Sequence, residues 1–370
     1  MNSKKRILHV LYGGLGGHGN VFFSFVDGDK EKIYEYAALF NGIESLKTEY
    51  IEKCRERDIG YSYAAKKQGL DIGFFLKTYK LIRKAKPDII FLHSPFCILP
   101  AWMYRIRTWG RCRVVVREAQ SNHLKTRQDW FWLYLAMLGA NRIVFLSQQF
   151  REDVKRKMGW FYRKRKSRVI PNGIDLDVYK PGLKPSTLAN RFVMGMQSRL
   201  ERNKDHITLL QAFAKLREET FFPELYLRIA GDGTTRKELE ELSFKLAIAD
   251  KVQFTGMLDE NELVPFLQSL DLYVHASKGE AMSTAIMQAM ACKLPVIGSD
   301  VKGVNNMVSN NASGILVPVH DATALSAAIK LLYMNKDLRD KLAGKAYDMA
   351  TELFSNKRMF REYQKVFENT

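Results

Sequence analysis

Short apolar runs alternate with helical patterns along the whole 370-residue chain. In the first half the runs are Ile7–Tyr12, Tyr36–Phe40, Ile59–Tyr63, Ile89–His93, Arg113–Val116, Arg142–Leu146 and Val169–Ile170. Runs this short predict buried strands. Between them apolar positions recur at helical spacing, as in Ile72–Ala85 and Gln149–Met158. Lys86-Pro-Asp88 stops one helix and starts the next strand. A second series runs through Phe192–Gln197, Tyr226–Ala230, Val252–Phe254, Leu272–His275, Val296–Ile297 and Gly314–Val317. Its helices include Asp205–Arg217, Arg236–Ile248 and Ala322–Met334, and Asn356–Phe367 predicts a terminal amphipathic helix. Strands alternating with helices predict an α/β fold with parallel sheets.

The length exceeds what one core usually holds, so two domains are expected. Pro171-Asn-Gly173 is a turn signal, and the stretch that follows is polar, with Pro181-Gly182 and Pro185. This places a linker at 175–190, a first domain at 1–174 and a second at 191–354, with the terminal helix, 355–370, expected to pack back on the first.

Composition adds three points. Cys54, Cys97, Cys112 and Cys292 are scattered without metal-ligand spacing, which fits a reducing cytoplasm and argues against a disulfide scaffold. No run approaches the ~20 apolar residues of a membrane span, the nearest being Trp130 to Gly139. The net charge of +18 is uneven: residues 1–180 hold 34 Lys and Arg against 17 Asp and Glu, and residues 181–370 hold 24 against 23. The densest cluster is Lys155-Arg-Lys157 with Arg163-Lys-Arg-Lys166-Ser-Arg168, around Trp160, Phe161 and Tyr162. Cations among aromatics suit an anionic membrane surface, and would also suit single-stranded nucleic acid. The first reading is adopted: a cytoplasmic protein peripheral to the membrane, with no nucleic-acid partner.

Candidate chemistry gathers at strand ends. Glu280 follows the run Leu270 to Ala276, and Ser283 and Gln288 lie on the helical stretch behind it. A carboxylate and an amide at the C-terminal end of a parallel sheet can bond vicinal hydroxyls. Arg199 follows another strand and Lys204 opens the next helix; two cations converging beside a helix N-terminus suit a diphosphate. Gly231-Asp-Gly233 reads as a tight turn near the same crevice, and the backbone of Gly256 and Met257 could hold a nucleobase edge. The first loop contains Gly14, Gly16 and Gly19 in G-x-G-x-x-G spacing. A dinucleotide site also wants an acid ending the second strand, which here ends Asn41-Gly42; an NAD(P)-dependent enzyme is therefore the lesser alternative. On the first domain His18, His93 and Glu118 are acceptor-side candidates. No His/Cys cluster supports zinc, and Asp27-Gly-Asp29 and Asp175-Leu-Asp177 read as turn and linker rather than metal ligands.

Together these segments resemble the family-four retaining glycosyltransferases of the GT-B fold, similar to bacterial O-antigen and capsule enzymes. The matching pieces are the Gly-rich first loop, Pro171-Asn-Gly-Ile-Asp175, Ser198-Arg-Leu with Lys204-Asp205, Gly231-Asp-Gly233, and Glu280 through Ala291 followed by Pro295-Val-Ile297. The resemblance implies two Rossmann-like domains facing a cleft, a nucleotide-sugar donor (UDP- or GDP-sugar), and a lipid-linked or glycan acceptor. It implies that Arg199 and Lys204 hold the donor diphosphate, that Glu280 contacts the transferred sugar, and that Gly16 and Gly17 close over the phosphates. It implies metal-independent transfer without a cofactor. The second acid of the family's Glu-x7-Glu motif is Gln288 here, so a weakly active or non-catalytic nucleotide-sugar binder is the main alternative.

Overall fold

Each apolar run read as a strand forms one, and all pair in parallel within two sheets. The computed structural model describes residues 4–14, 17–43, 45–69, 71–217 and 224–368. These residues divide into two units, Met1–Asp175 with Asn356–Thr370, and Leu176–Ser355.

The first unit runs β1 (Lys5–Tyr12), α1 (Gly17–Gly28), β2 (Tyr34–Gly42), α2 (Thr48–Glu56), β3 (Gly60–Ala65), α3 (Ile72–Ala85), β4 (Ile89–Leu92), α4 (Ile98–Arg107), β5 (Arg113–Glu118), α5 (Arg127–Gly139), β6 (Arg142–Phe145), α6 (Gln148–Met158) and β7 (Ser167–Val169). The sheet order is β3-β2-β1-β4-β5-β6-β7. The strands bury both faces, which is why they read as apolar runs rather than alternating ones. One face packs against α3, α4 and α5 through Phe74, Ile98 and Leu133, among others.

The second unit runs β8 (Phe192–Gln197), α7 (His206–Arg217), β9 (Leu225–Ala230), α8 (Arg236–Lys245), β10 (Val252–Gly256), α9 (Glu260–Gln268), β11 (Leu272–His275), α10 (Thr284–Ala291), β12 (Val296–Ser299), β13 (Ile315–Val317), α11 (Ala322–Met334) and α12 (Lys336–Leu353), in sheet order β10-β9-β8-β11-β12-β13. The last helix, α13 (Asn356–Glu368), belongs to the first unit. There Phe360 meets Phe25 at 5.4 Å between ring centroids and Tyr363 meets Phe91 at 4.8 Å.

Two element boundaries differ from the sequence reading for physical reasons. β7 starts at Ser167, because Ser167 and Arg168 pair with Ile143 and Val144 although neither is apolar. α8 ends at Lys245, where Ala247 takes a positive φ of 53° and its N–H turns to the Phe244 carbonyl.

Each sheet reverses its order once, between β1 and β4 and between β8 and β11. Loops leaving the carboxyl ends of such strands diverge and open a crevice for ligands. That relation places the candidate residues in each unit.

Candidate active site

In the second unit Arg199 lies in the turn after β8, Lys204 just before α7, and Glu280 in the loop after β11. Backbone bonds hold the two loops together: Asp205 N–H donates to the Ala276 carbonyl at 3.0 Å, and Lys278 N–H to the Asn203 carbonyl at 3.0 Å. Side chains distant in sequence are thereby fixed at one point.

Glu280 Oε1 is that point. It accepts from Lys204 Nζ, from His275 Nε2 at 2.9 Å and from Ser277 Oγ at 3.3 Å. Among the described residues nothing donates to Oε2, which leaves one carboxylate oxygen for a ligand hydroxyl. His275 is buried and its pKa lies well below the ordinary value, first through burial and then through the Lys204 charge. A neutral imidazole facing a carboxylate must carry its proton on Nε2, so Nδ1 accepts. The Tyr273 hydroxyl stands 3.3 Å from that nitrogen. Burial, with the Arg199 charge second, lowers the Lys204 ammonium to about 8. The adjoining carboxylate works the other way, in favour of the charged form. Arg199 itself is exposed and without an ion-pair partner among the described residues.

The neighbouring turns close around this group. Gly231 has φ +138°, and a Cβ there would stand 1.9 Å from the Ser198 carbonyl oxygen. Only glycine lets the turn after β9 approach the one after β8 so closely. Gly231 N–H donates to the Gly256 carbonyl at 2.8 Å, and Met257 beside it is exposed. Ser283 is the N-cap of α10, but its side chain does not cap the helix. The first-turn N–H groups of α10 thus lack the usual side-chain acceptor, an arrangement suited to an anionic ligand oxygen.

Gln288 is not part of the Glu280 group. It is buried on α10, and its amide lies by the hydroxyl of Tyr179, with Glu260 on the same phenol. Burial, followed by the Glu260 charge, pushes the Tyr179 phenol up.

In the first unit His18 follows β1 and His93 follows β4, and the structure brings them together with ring centroids 6.5 Å apart. Two residues that the sequence reading passed over join them. His9 Nδ1 lies 3.0 Å from His93 Nε2. Arg117, fully buried, donates from Nε and Nη2 to Asn172 Oδ1 at 3.2 and 2.6 Å, while its Nη1 has no partner among the described residues. Burial lowers His9 to about 3, and burial with the Arg117 charge lowers His18 to about 4. His93 lies well below its ordinary value, through burial first and the His9 ring second. Glu118 stands apart, 3.3 Å from Lys125 Nζ and accepting from Gln120 N–H at 3.0 Å. Burial raises its pKa and Lys125 opposes the rise. Gly16 lies outside the described residues. Gly17 opens α1 with free space where a Cβ would be, whereas Gly19 packs against the Tyr50 ring. The third glycine of the G-x-G-x-x-G spacing is thus a packing residue.

His9 and His275 carried one signal in the sequence: each is a titratable residue that directly follows an apolar run of its strand. Arg117 in β5 carried the same one.

Two family models match the chain, Glycosyltransferase Family 4 over residues 28–178 and Glycosyl transferases group 1 over residues 184–349. The chain is 24% identical over 363 residues to the lipopolysaccharide core biosynthesis glycosyltransferase LpsE of Rhizobium meliloti, covering 97% of each. It is 24% identical over 298 residues to the UDP-Gal:alpha-D-GlcNAc-diphosphoundecaprenol alpha-1,3-galactosyltransferase of Escherichia coli, covering 74% of this chain and 75% of that one. Among solved structures, Anabaena Alr3699/HepE in complex with UDP and glucose superposes with a TM-score of 0.83 at 18% identity, over 100% of both chains.

Proposed function

We propose, for a chain that belongs to the family-four-like GT-B glycosyltransferases, that it moves a sugar from a nucleotide-sugar donor to a lipid-linked or glycan acceptor in surface polysaccharide synthesis, with retention at the anomeric carbon. The observation that carries the reading is the group of Lys204, His275 and Ser277 on one oxygen of Glu280, beside an unpaired Arg199. The names of the two relatives support a lipopolysaccharide or diphosphoundecaprenol-linked acceptor, and the UDP and glucose in the similar solved structure support the donor class.

In this reading Arg199, Lys204 and the amino end of α10 face the diphosphate. Negative charge grows on the leaving nucleotide as the glycosidic bond breaks, and fixed cations stabilise it more in that state than before. These side chains supply the charge in a transfer that uses no metal. Glu280 Oε2 accepts a hydroxyl of the transferred sugar, and His275 holds the carboxylate in place. A donor phosphate oxygen takes the acceptor's proton on the face the nucleotide leaves, which gives retention without an enzyme nucleophile. The backbone at Gly231, Gly256 and Met257 borders the nucleotide. His18 and His93 serve the acceptor side, where Glu118 is held back by its pairing with Lys125. The basic first half sets the enzyme on the inner face of the cytoplasmic membrane.

The test is a thermal-shift screen with UDP, GDP and their sugars, followed by NMR of the product's anomeric linkage. Stabilisation by one nucleotide and an α product from an α donor are expected. Stabilisation by none would overturn the donor assignment, and an inverted product would overturn retention. A second reading, a binder with little transfer, is favoured by the amide at Gln288 and its engagement with Tyr179. Nucleotide binding without turnover on any acceptor extract would support it.

A further inference from the structure

The helices α3, α4 and α5 lie side by side on one face of the first sheet. Each has an inward face that makes the core. Each also carries apolar residues outward, where a helix facing water carries polar ones. On α5 these are Phe131 and Leu138; on α4 they are Met103 and Ile106; on α3 they are Ile72 and Leu76. Phe131, Leu138, Met103, Ile106, Ile72 and Leu76 are all exposed. At the end of α4, Trp109 is 93% exposed and has a positive φ of 51°. Gly or Asn would make that turn with less strain, so an aromatic there serves something other than the turn.

Cations frame this face, and within α3, α4 and α5 the one acid is Asp129, in the first turn of α5. No Asp or Glu lies between Asp71 and Asp88, between Asp88 and Glu118, or between Asp153 and Asp175. The carboxyl ends of α4 and α5 are tied by Arg105 Nη1, which donates to the Gly139 carbonyl at 3.1 Å. Lys166 Nζ, from the basic loop, donates to the Met137 and Leu138 carbonyls at 3.0 and 2.9 Å. The loop that holds Arg163, Lys164, Arg165 and the 76% exposed Trp160 is thereby anchored beside Leu138.

We propose that this outer face of α3, α4 and α5, with Trp109, Trp160 and the basic loop, lies in the headgroup layer of an anionic bilayer. The inference rests on the reading of a membrane-linked acceptor and names the surface that meets the membrane. Apolar side chains enter the acyl boundary while Lys and Arg reach the headgroups. α5, about 20 Å long, lies along the surface rather than through it. Two features decide against other occupants. A nucleic acid stacks on Phe131, Trp109 and Trp160 but leaves the aliphatic Ile72, Leu76, Met103, Ile106 and Leu138 without a partner, whereas an acyl boundary covers both kinds. A second copy would set this basic face against itself, cation on cation.

The test is flotation of the full chain with phosphatidylcholine vesicles, with and without phosphatidylglycerol. Wild type is expected to float with the anionic vesicles and much less with the neutral ones. The double variant I106E/W109E, altered only at exposed positions, should lose more than about tenfold in partitioning. K164E/R165E should lose binding most at low salt. Wild type that stays at the bottom with anionic vesicles would overturn the proposal, as would I106E/W109E floating like wild type. A wild-type dimer that I106E/W109E disperses, with flotation unchanged, would overturn it in favour of a second copy. The UDP-induced thermal shift, measured beside flotation, reports separately on the donor site. A chain that floats but takes no nucleotide keeps this surface and loses the enzymatic reading.

Discussion

Lys204 and Glu280 are 76 residues apart in the chain and share one ion pair at the carboxyl ends of β8 and β11. Their side chains are only 10% and 15% exposed, so each charge depends on the other. The pair joins the residue assigned to the diphosphate with the one assigned to the sugar.

Glu280→Gln keeps an oxygen for Lys204 and removes the carboxylate charge. Transfer is expected to fall by about a hundredfold or more, because the sugar contact weakens as charge develops. UDP affinity should stay within a few-fold, while the melting temperature should fall, because Lys204 loses its buried counter-charge. Steady-state kinetics and a thermal melt check this; full activity in Glu280→Gln would remove the residue from its role.

The Lys204 ammonium is lowered to about 8, first by burial. A diphosphate takes the charged form, so UDP affinity is expected to weaken as pH rises through about 8, by about tenfold per unit beyond it. Bound nucleotide favours the proton and moves the onset upward. Lys204→Arg keeps its charge and should flatten the profile. Calorimetric titration across this range decides, and affinity that rises with pH would contradict the assignment.

Tyr179→Phe removes the hydroxyl beside Gln288 and Glu260. The buried amide then lacks that partner, at a cost of about 1–3 kcal/mol in denaturant unfolding. Gln288→Glu removes the N–H donor at the same place and should destabilise by a similar amount. A large gain of transfer in Gln288→Glu would mark the wild-type site as degraded; unchanged stability in both variants would show that the link carries no weight.

Five histidines have folded-state pKa values below the ordinary 6.5, each through burial first: His9 at about 3, His18 and His206 at about 4, and His93 and His275 well below it. Below 6.5 the unfolded chain takes up protons that the native chain refuses. Stability is therefore lost as pH falls from 6.5 to about 4, by about 1.4 kcal/mol per unit for each group. His206→Gln keeps an acceptor for the Ser198 hydroxyl, now 2.9 Å from His206 Nε2, and should make the loss shallower by one proton. Unfolding free energies measured across that range test the sign; a flat profile would refute it.

The strands and most helix limits were legible because strands buried on both faces leave apolar runs, and α3 and α11 lie where the helical spacing put them. Glycines and cations at strand ends marked the candidate residues for the same reason: a parallel α/β sheet exposes its loops there. The sequence by itself determined this order of elements, the charge asymmetry and the residue types available at each strand end. Tertiary structure alone decided which of them meet. It joined His275 and Lys204 to one oxygen of Glu280, turned Gln288 to Tyr179, and set His9 against His93. It also left the outer stripes of α4 and α5 uncovered, although apolar spacing alone reads them as core. The physical reason is the same in each case. Periodicity reports how a residue stands on its own element, whereas partnership and exposure depend on which elements the sheet order brings alongside.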